Sequence, residues 1–376
     1  MVLRAANSHL APILLAAAFL TGCRLAPKAF PPTIPVEPIP SPAKAANTLS
    51  GVKVIPPTTH PSAPPTSASQ SPSRLVREAT VEGARHLAWS PDGRKIALTT
   101  LSGVTILDGA SLGQLASRRT DSPQYALAFS DDGEELATAD GLEVGHGLRV
   151  WNGIDLALVS EYDLPGSAMA IGFLPQSAVV VATSGFPSMG IWIVSHDGGL
   201  RRALAIEGAE PLTAALYPRL GLTAVSVGPG QAVQVWDSAT ATLREELPLS
   251  GAADLQFTHD GSRLLAVLDF VVEVWDLQEQ RSTSEVPVHG GTVSSIRIPA
   301  RLAVSQDDHL FATGTEIPSP GIGVWLVESG RLAALLPHDH LDKIIDLSFN
   351  PANSDLAILF NDGTLEIWDI AFSTTG

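Results

Sequence analysis

The residues best suited to chemistry in this chain are ten histidines, one cysteine and a set of carboxylates. The densest grouping is His338-Asp339-His340 with Asp342, four side chains of the types that hold a divalent cation. In an extended segment successive side chains point to opposite sides, so this run does not converge on one ion. His196-Asp197 pairs a general base with an orienting carboxylate, yet Gly198-Gly199 follows as a turn and nothing locates a nucleophile. Asp131-Asp132 and Glu134-Glu135 flank Gly133. Four carboxylates suggest Ca²⁺, but EF-hand spacing is absent and a solvated turn fits better. No G-x-S-x-G elbow, P-loop or dinucleotide glycine fingerprint occurs. The expectation is no catalytic residue, no metal and no cofactor.

Cys23 is the exception, because its surroundings give it a covalent fate. Arg4 precedes an uninterrupted apolar run from Leu10 to Leu20. Eleven residues rise about 16 Å as a helix, roughly half a hydrocarbon core, so the run does not span a bilayer. A basic start, a short apolar stretch and small residues after it describe a secretory signal peptide. The segment then reads Leu20-Thr21-Gly22-Cys23, which resembles the bacterial lipobox. That resemblance implies removal of residues 1–22 and lipidation of Cys23. Two or three acyl chains anchor firmly, where one holds only marginally. Arg24 stands where the enteric inner-membrane retention signal has Asp, so an outer-membrane address is expected if the source is Gram-negative. Residues 24–73 hold 13 prolines and a single aromatic, Phe30. Such a segment buries too little to offset its ordering entropy. It reads as a disordered tether reaching at most about 155 Å.

The elements beyond residue 74 are announced by a repeat. Trp151, Trp192, Trp236, Trp275, Trp325 and Trp368 each close a β-rich phrase, as in Val233-Gln234-Val235-Trp236-Asp237. A further copy, Val104-Thr105-Ile106-Leu107-Asp108, has Leu107 in the tryptophan position. The spacings are 44, 41, 44, 39, 50 and 43 residues, the period of a four-stranded propeller blade. About 20 residues before each phrase comes an apolar strand and a tight turn, as in Leu87-Ala88-Trp89-Ser90-Pro91-Asp92-Gly93. The sixth repeat leaves two candidates for its inner strand, Thr292 to Ile298 or Leu302 to Ser305.

These phrases resemble those of the WD-repeat β-propeller family over residues 74–376. The resemblance implies an all-β, seven-bladed propeller of four-stranded antiparallel blades. In the last repeat His340, Asp346, Asp362-Gly363 and Trp368-Asp369 fall at the family's spacings. It also implies a structural hydrogen-bond network of His, Asp, Trp and a strand-b Ser or Thr. Here His340, Asp362 and Trp368 carry over, and repeat five keeps Asp269 with Trp275. The other repeats lack the turn Asp, so the network is expected to be mostly absent. Only eight residues follow Trp368, too few for a turn and a fourth strand. The strand-like Arg74 to Glu82 is therefore expected to complete the last blade, leaving no exposed edge between chain ends. The Trp89-Ser-Pro-Asp-Gly-Arg-Lys-Ile-Ala stretch is also similar to the propeller of the Tol system.

Charge narrows the partner. The chain carries −16, but residues 74–376 hold 18 Lys plus Arg against 38 Asp plus Glu, so the propeller alone carries −20. Such a field disfavours nucleic acid and anionic lipid and favours a protein with a basic contact surface. The longer b–c connections, with Glu143, His146, Phe186, Met189 and Pro318, are the candidate contact loops. The expected function is a monomeric, exported, lipid-anchored scaffold without catalysis. The alternatives are a lactonase-like propeller hydrolase, with carboxylates and histidine around a channel metal, and a Tol-type assembly or transport accessory.

Overall fold

Tight turns and one short 3-10 segment, Pro218–Leu220, connect the strands of the described chain. A computed structural model describes residues 73–370 except 141–146, 175–177, 185–189, 196–198, 206–212, 228–229, 239, 241, 269–270, 289–300, 316–320 and 339–343. The first strand is β1 (Arg74–Thr80). Blade 1 is β2 (Ala84–Trp89), β3 (Lys95–Thr100), β4 (Gly103–Asp108) and β5 (Gln114–Arg119). Blade 2 is β6 (Gln124–Phe129), β7 (Glu135–Asp140), β8 (Gly147–Asn152) and β9 (Leu158–Asp163), and blade 3 is β10 (Ser167–Phe173), β11 (Val179–Ser184), β12 (Gly190–Val194) and β13 (Leu200–Ala205). Blade 4 is β14 (Thr213–Tyr217), β15 (Leu222–Ser226), β16 (Val233–Asp237) and β17 (Thr242–Leu247), and blade 5 is β18 (Asp254–Phe257), β19 (Arg263–Val267), β20 (Val271–Asp276) and β21 (Arg281–Pro287). Blade 6 is β22 (Ala303–Val304), β23 (Leu310–Thr315), β24 (Gly321–Leu326) and β25 (Leu332–Pro337), and blade 7 is β26 (Ile344–Phe349), β27 (Asp355–Phe360) and β28 (Thr364–Asp369).

Each blade is a four-stranded antiparallel meander, and blade 7 takes β1 as its outer strand, in the order β1-β28-β27-β26. The chain ends pair from Arg74 with Asp369 to Thr80 with Thr364. The inner strands of neighbouring blades touch around the whole ring, with β26 against β2 closing it. The seven-bladed propeller expected from the repeat, and its closure by an N-terminal strand, are therefore present. In blade 6 the inner strand is Ala303–Val304, the second of the two candidates.

The apolar strands have a simple cause. Buried side chains form seven clusters, one in each gap between neighbouring blades. A strand such as β3 or β27 is covered on both faces and is buried at nearly every position, so alternation disappears. The turns after the inner strands repeat one device. Ser90 Oγ donates to Asp92 Oδ1 (2.6 Å), Ser130 to Asp132 (2.7 Å), Thr258 to Asp260 (2.7 Å) and Ser305 to Asp307 (2.6 Å). These hydroxyls hold Asp92 and Asp132 below the usual carboxylate range. The Asp132 device also accounts for the Asp131–Glu135 acidic run as a turn. The next residue takes φ near +70° and is Gly93, Gly133 or Gly261, except in blade 6, where Asp308 adopts φ 59°. Its carboxylate accepts His259 N (2.6 Å) and Asp260 N (2.9 Å), stapling blade 6 to blade 5.

Candidate functional site

The channel is lined by the inner strands, whose registers coincide. Trp89, Phe129, Phe173, Tyr217, Phe257, Val304 and Phe349 occupy one level, each paired near the start of the second strand of its blade. Three residues earlier stands a second ring: His86, Ala126, Ala170, Ala214, Asp254, Arg301 and Asp346. Blades 2 to 4 contribute alanine there. Blades 5, 6, 7 and 1 contribute an arc of ionisable side chains.

The two aspartates make the same contact and differ in their neighbour. Asp346 Oδ2 accepts Leu87 N of blade 1 (2.9 Å), and Asp254 Oδ2 accepts Leu302 N of blade 6 (2.9 Å). Each also accepts its own following amide at 3.0 Å. Both carboxylates thus bridge to the next blade. Burial pushes the Asp346 carboxyl up, but His86, with Nδ1 at 3.3 Å, Arg301 and the Leu87 amide outweigh it and bring the group below its usual range. At Asp254 burial wins over Arg301 and the two amides, and the carboxyl is pushed up to about 6. Among the described residues the Arg301 guanidinium forms no ion pair within 4.0 Å, so it reaches both carboxylates only through space. The channel cavity is about 860 Å³, with Asp254, Arg301 and Asp346 in its wall and Tyr217, His259 and Gln306 further along. Tyr217 Oη donates to the His259 carbonyl (2.6 Å), and His259 Nδ1 lies 3.0 Å from Asp308.

Of the expected structural network in the last repeat, Asp362 and Trp368 are described and His340 is not. Trp368 Nε1 donates to Glu366 Oε2 (2.8 Å), two residues earlier on its own strand, and Asp362 accepts Thr364 N (3.0 Å) as a turn residue. Blade 2 builds a related network from other residues. There Trp151 Nε1 donates to Thr138 Oγ1 (2.9 Å), Thr138 donates to Gln124 Oε1 (2.8 Å), and Gln124 Nε2 donates to Asp140. Asp140 is 2% exposed and accepts Arg149 at 2.7 Å, whose other nitrogens meet Glu161 (2.7 Å) and Asp121 (2.9 Å). Gln124 does the work expected of a histidine, and the carboxylate comes from the end of β7 instead of the turn after it.

The remaining site expectations separate cleanly. Leu107 and the six repeat tryptophans all lie on the third strand of their blades. Cys23, Glu143, His146, Phe186, Met189, Asp269, Pro318 and His340 lie outside the described residues. Of the His338 grouping, His338 is described, stacked on Phe360 (4.5 Å between centroids) with Nε2 3.8 Å from Glu366. Among the described residues no three His, Cys, Asp or Glu side chains gather as a metal site, and no helix is long and apolar enough to cross a membrane. His86, Asp254 and Arg301 were not singled out by sequence; aligning the inner-strand phrases on their aromatic would have found them.

No family model matches the chain. Among curated proteins it is 27% identical over 265 residues to human WD repeat-containing protein 90, covering 65% of this chain and 15% of that one. It is 22% identical over 255 residues to the Arabidopsis thaliana transcriptional corepressor LEUNIG_HOMOLOG, covering 67% of this chain and 30% of the relative. The chain thus matches less than a third of either relative's length. In sequence it is similar to WD-repeat proteins, and in fold it is a seven-bladed propeller.

Proposed function

We propose that the chain is an exported, lipid-anchored propeller that acts as a non-catalytic protein-interaction scaffold. The observation that carries this reading is the closed seven-bladed ring with WD-type similarity. Its buried channel carboxylates are engaged by amides of the next blade, which suits a rigid platform. The −20 charge of residues 74–376 favours a partner with a basic surface. Cys23 and the proline-rich segment supply the anchor and reach, with the outer membrane as its address if the source is Gram-negative. Cross-linking in the native envelope followed by mass spectrometry tests the scaffold; failure to recover a reproducible partner counts against it. Palmitate labelling that persists in Cys23→Ala would sink the anchor.

A further inference from the structure

The strand-c tryptophans share one placement. Each defined case leans on the preceding blade: Trp151 on blade 1, Trp236 on blade 3, Trp275 on blade 4, Trp325 on blade 5 and Trp368 on blade 6. In Trp236, Trp325 and Trp368 the indole lies over the position two residues earlier. Trp236 Nε1 donates to Gln234 Oε1 (3.2 Å) and Trp368 Nε1 to Glu366 Oε2 (2.8 Å). At Gly323 a β-carbon would run into the Trp325 indole.

Blade 1 breaks both halves of this arrangement. Leu107 replaces the tryptophan, and Thr105 replaces the side chain beneath it. Trp89 compensates at the inner end. Its Nε1 donates to the Ser348 carbonyl of blade 7 (3.2 Å), and its ring comes within 2.7 Å of where a Gly109 β-carbon would sit. The outer end stays empty. A cavity of about 380 Å³ lies there, walled by Thr105, Leu107 and Ser117 of blade 1 and by Ala79 of β1, with Glu82 and Arg119 also in its lining. That volume falls within the range of ligand clefts, about 300–1,000 Å³.

We infer that this slot docks an aromatic residue, tryptophan above all, carried on an extended segment of a partner protein. Its place is the one that five other blades fill with their own indole. Thr105 Oγ1 and Ser117 Oγ, hydrogen-bonded at 3.1 Å, stand ready to accept an indole N–H, as Thr138 and Thr183 accept those of Trp151 (2.9 Å) and Trp192 (3.1 Å). Arg119 lies two residues after Ser117, on the same face of β5. Among the described residues neither its side chain nor that of Glu82 has a hydrogen-bond or ion-pair partner. A guanidinium and a carboxylate suit the carbonyl and N–H of a peptide main chain. A buried aromatic anchor ringed by polar groups is the usual centre of binding energy in protein interfaces. That the occupant is a protein rests on the scaffold reading; the slot itself does not.

Titrating N-acetyl-L-tryptophanamide into the full chain, read by calorimetry and ligand-observed NMR, tests this. Saturable binding is expected, roughly tenfold weaker in Leu107→Trp, whose own indole takes the slot, and similarly weakened in Thr105→Leu. N-acetyl-L-alaninamide serves as the control and is not expected to bind. Leu107→Trp should keep the wild-type thermal midpoint; if it fails to fold, Thr105→Leu carries the comparison. No saturable binding, or undiminished binding in the folded variants, overturns the slot. Envelope cross-linking separates the two readings. A partner recovered equally with wild type and Leu107→Trp overturns the slot and leaves the scaffold. No partner with either, while the probe still binds, overturns the scaffold and leaves the slot.

Discussion

Replacing Arg149 by Met should be among the costliest single changes in the propeller, and the reason lies in one carboxylate. Arg149 faces three acids that differ in exposure: Asp140 at 2%, Glu161 at 48% and Asp121 at 86% of their side chains. The two exposed pairs are worth about 0–1 kcal/mol each, since water and salt screen them. Asp140 is different. Without the guanidinium it keeps only the Gln124 amide and the Gly147 amide at 3.2 Å, both neutral. An uncompensated buried charge costs about 3–5 kcal/mol. At about 2 °C per kcal/mol for a domain of this size, Arg149→Met should lower the thermal midpoint by about 6–10 °C. Glu161→Ala and Asp121→Ala should each move it by no more than about 2 °C. The double variant Arg149→Met with Asp140→Leu should recover most of the loss, because the stranded charge goes too. Differential scanning calorimetry of the four variants decides it. If Glu161→Ala costs as much as Arg149→Met, or the double variant is no better than the single, then Asp140 is not the seat of the penalty.

Three other outcomes are expected. Truncation through Glu82 should lower the thermal midpoint far more than deletion of 24–73, because only the former removes the strand that pairs with β28; equal midpoints would refute ring closure by the chain ends. Asp254 has its carboxyl raised to about 6 from 3.8, so its ionisation costs up to about 3 kcal/mol at pH 7 and nothing below pH 4. Stability at this site therefore falls as pH rises from 4 to 6. The advantage of Asp254→Asn over wild type should shrink on acidification over that window, and a pH-independent difference would contradict it. Finally, elemental analysis of the purified full chain should find sub-stoichiometric metal; a stoichiometric, retained ion would favour the hydrolase alternative.

What could be read from the sequence follows from which groups repeat for a structural reason. The tryptophans recur at one strand-c position, and five of them fill the gap to the preceding blade, so their spacing reports the blade period directly. The Ser-x-Asp-Gly turns recur because one hydroxyl, one carboxylate and one positive φ make the turn. The blade 2 network was not legible, because Gln124 is a different residue type and Asp140 comes from a strand end rather than the turn. Nor was the difference between Asp254 and Asp346. It depends on the neighbouring blade supplying His86 within 3.3 Å in one case and a more distant Arg301 in the other. That neighbour is 47 residues downstream of Asp254 and 260 residues upstream of Asp346. Only the closed ring brings His86 to Asp346.

A repeat fold makes departures from the repeat informative. Backbone pairing in a propeller is nearly the same in every blade, so it cannot by itself distinguish one face or one gap from another. Selective contact has to come from positions where one blade breaks the pattern. Two such breaks are visible here. The arc of ionisable side chains is confined to blades 5, 6, 7 and 1, while blades 2 to 4 hold alanine at that level. The missing indole is confined to the gap between blades 7 and 1. Both meet at the seam where the two ends of the domain close the ring. A partner bound in that gap would touch β1 and blade 1 together, holding the closure as well as reading the slot. Occupancy should therefore raise the thermal midpoint of the wild-type chain by mass action, and should do so less in a chain whose slot Leu107→Trp has filled.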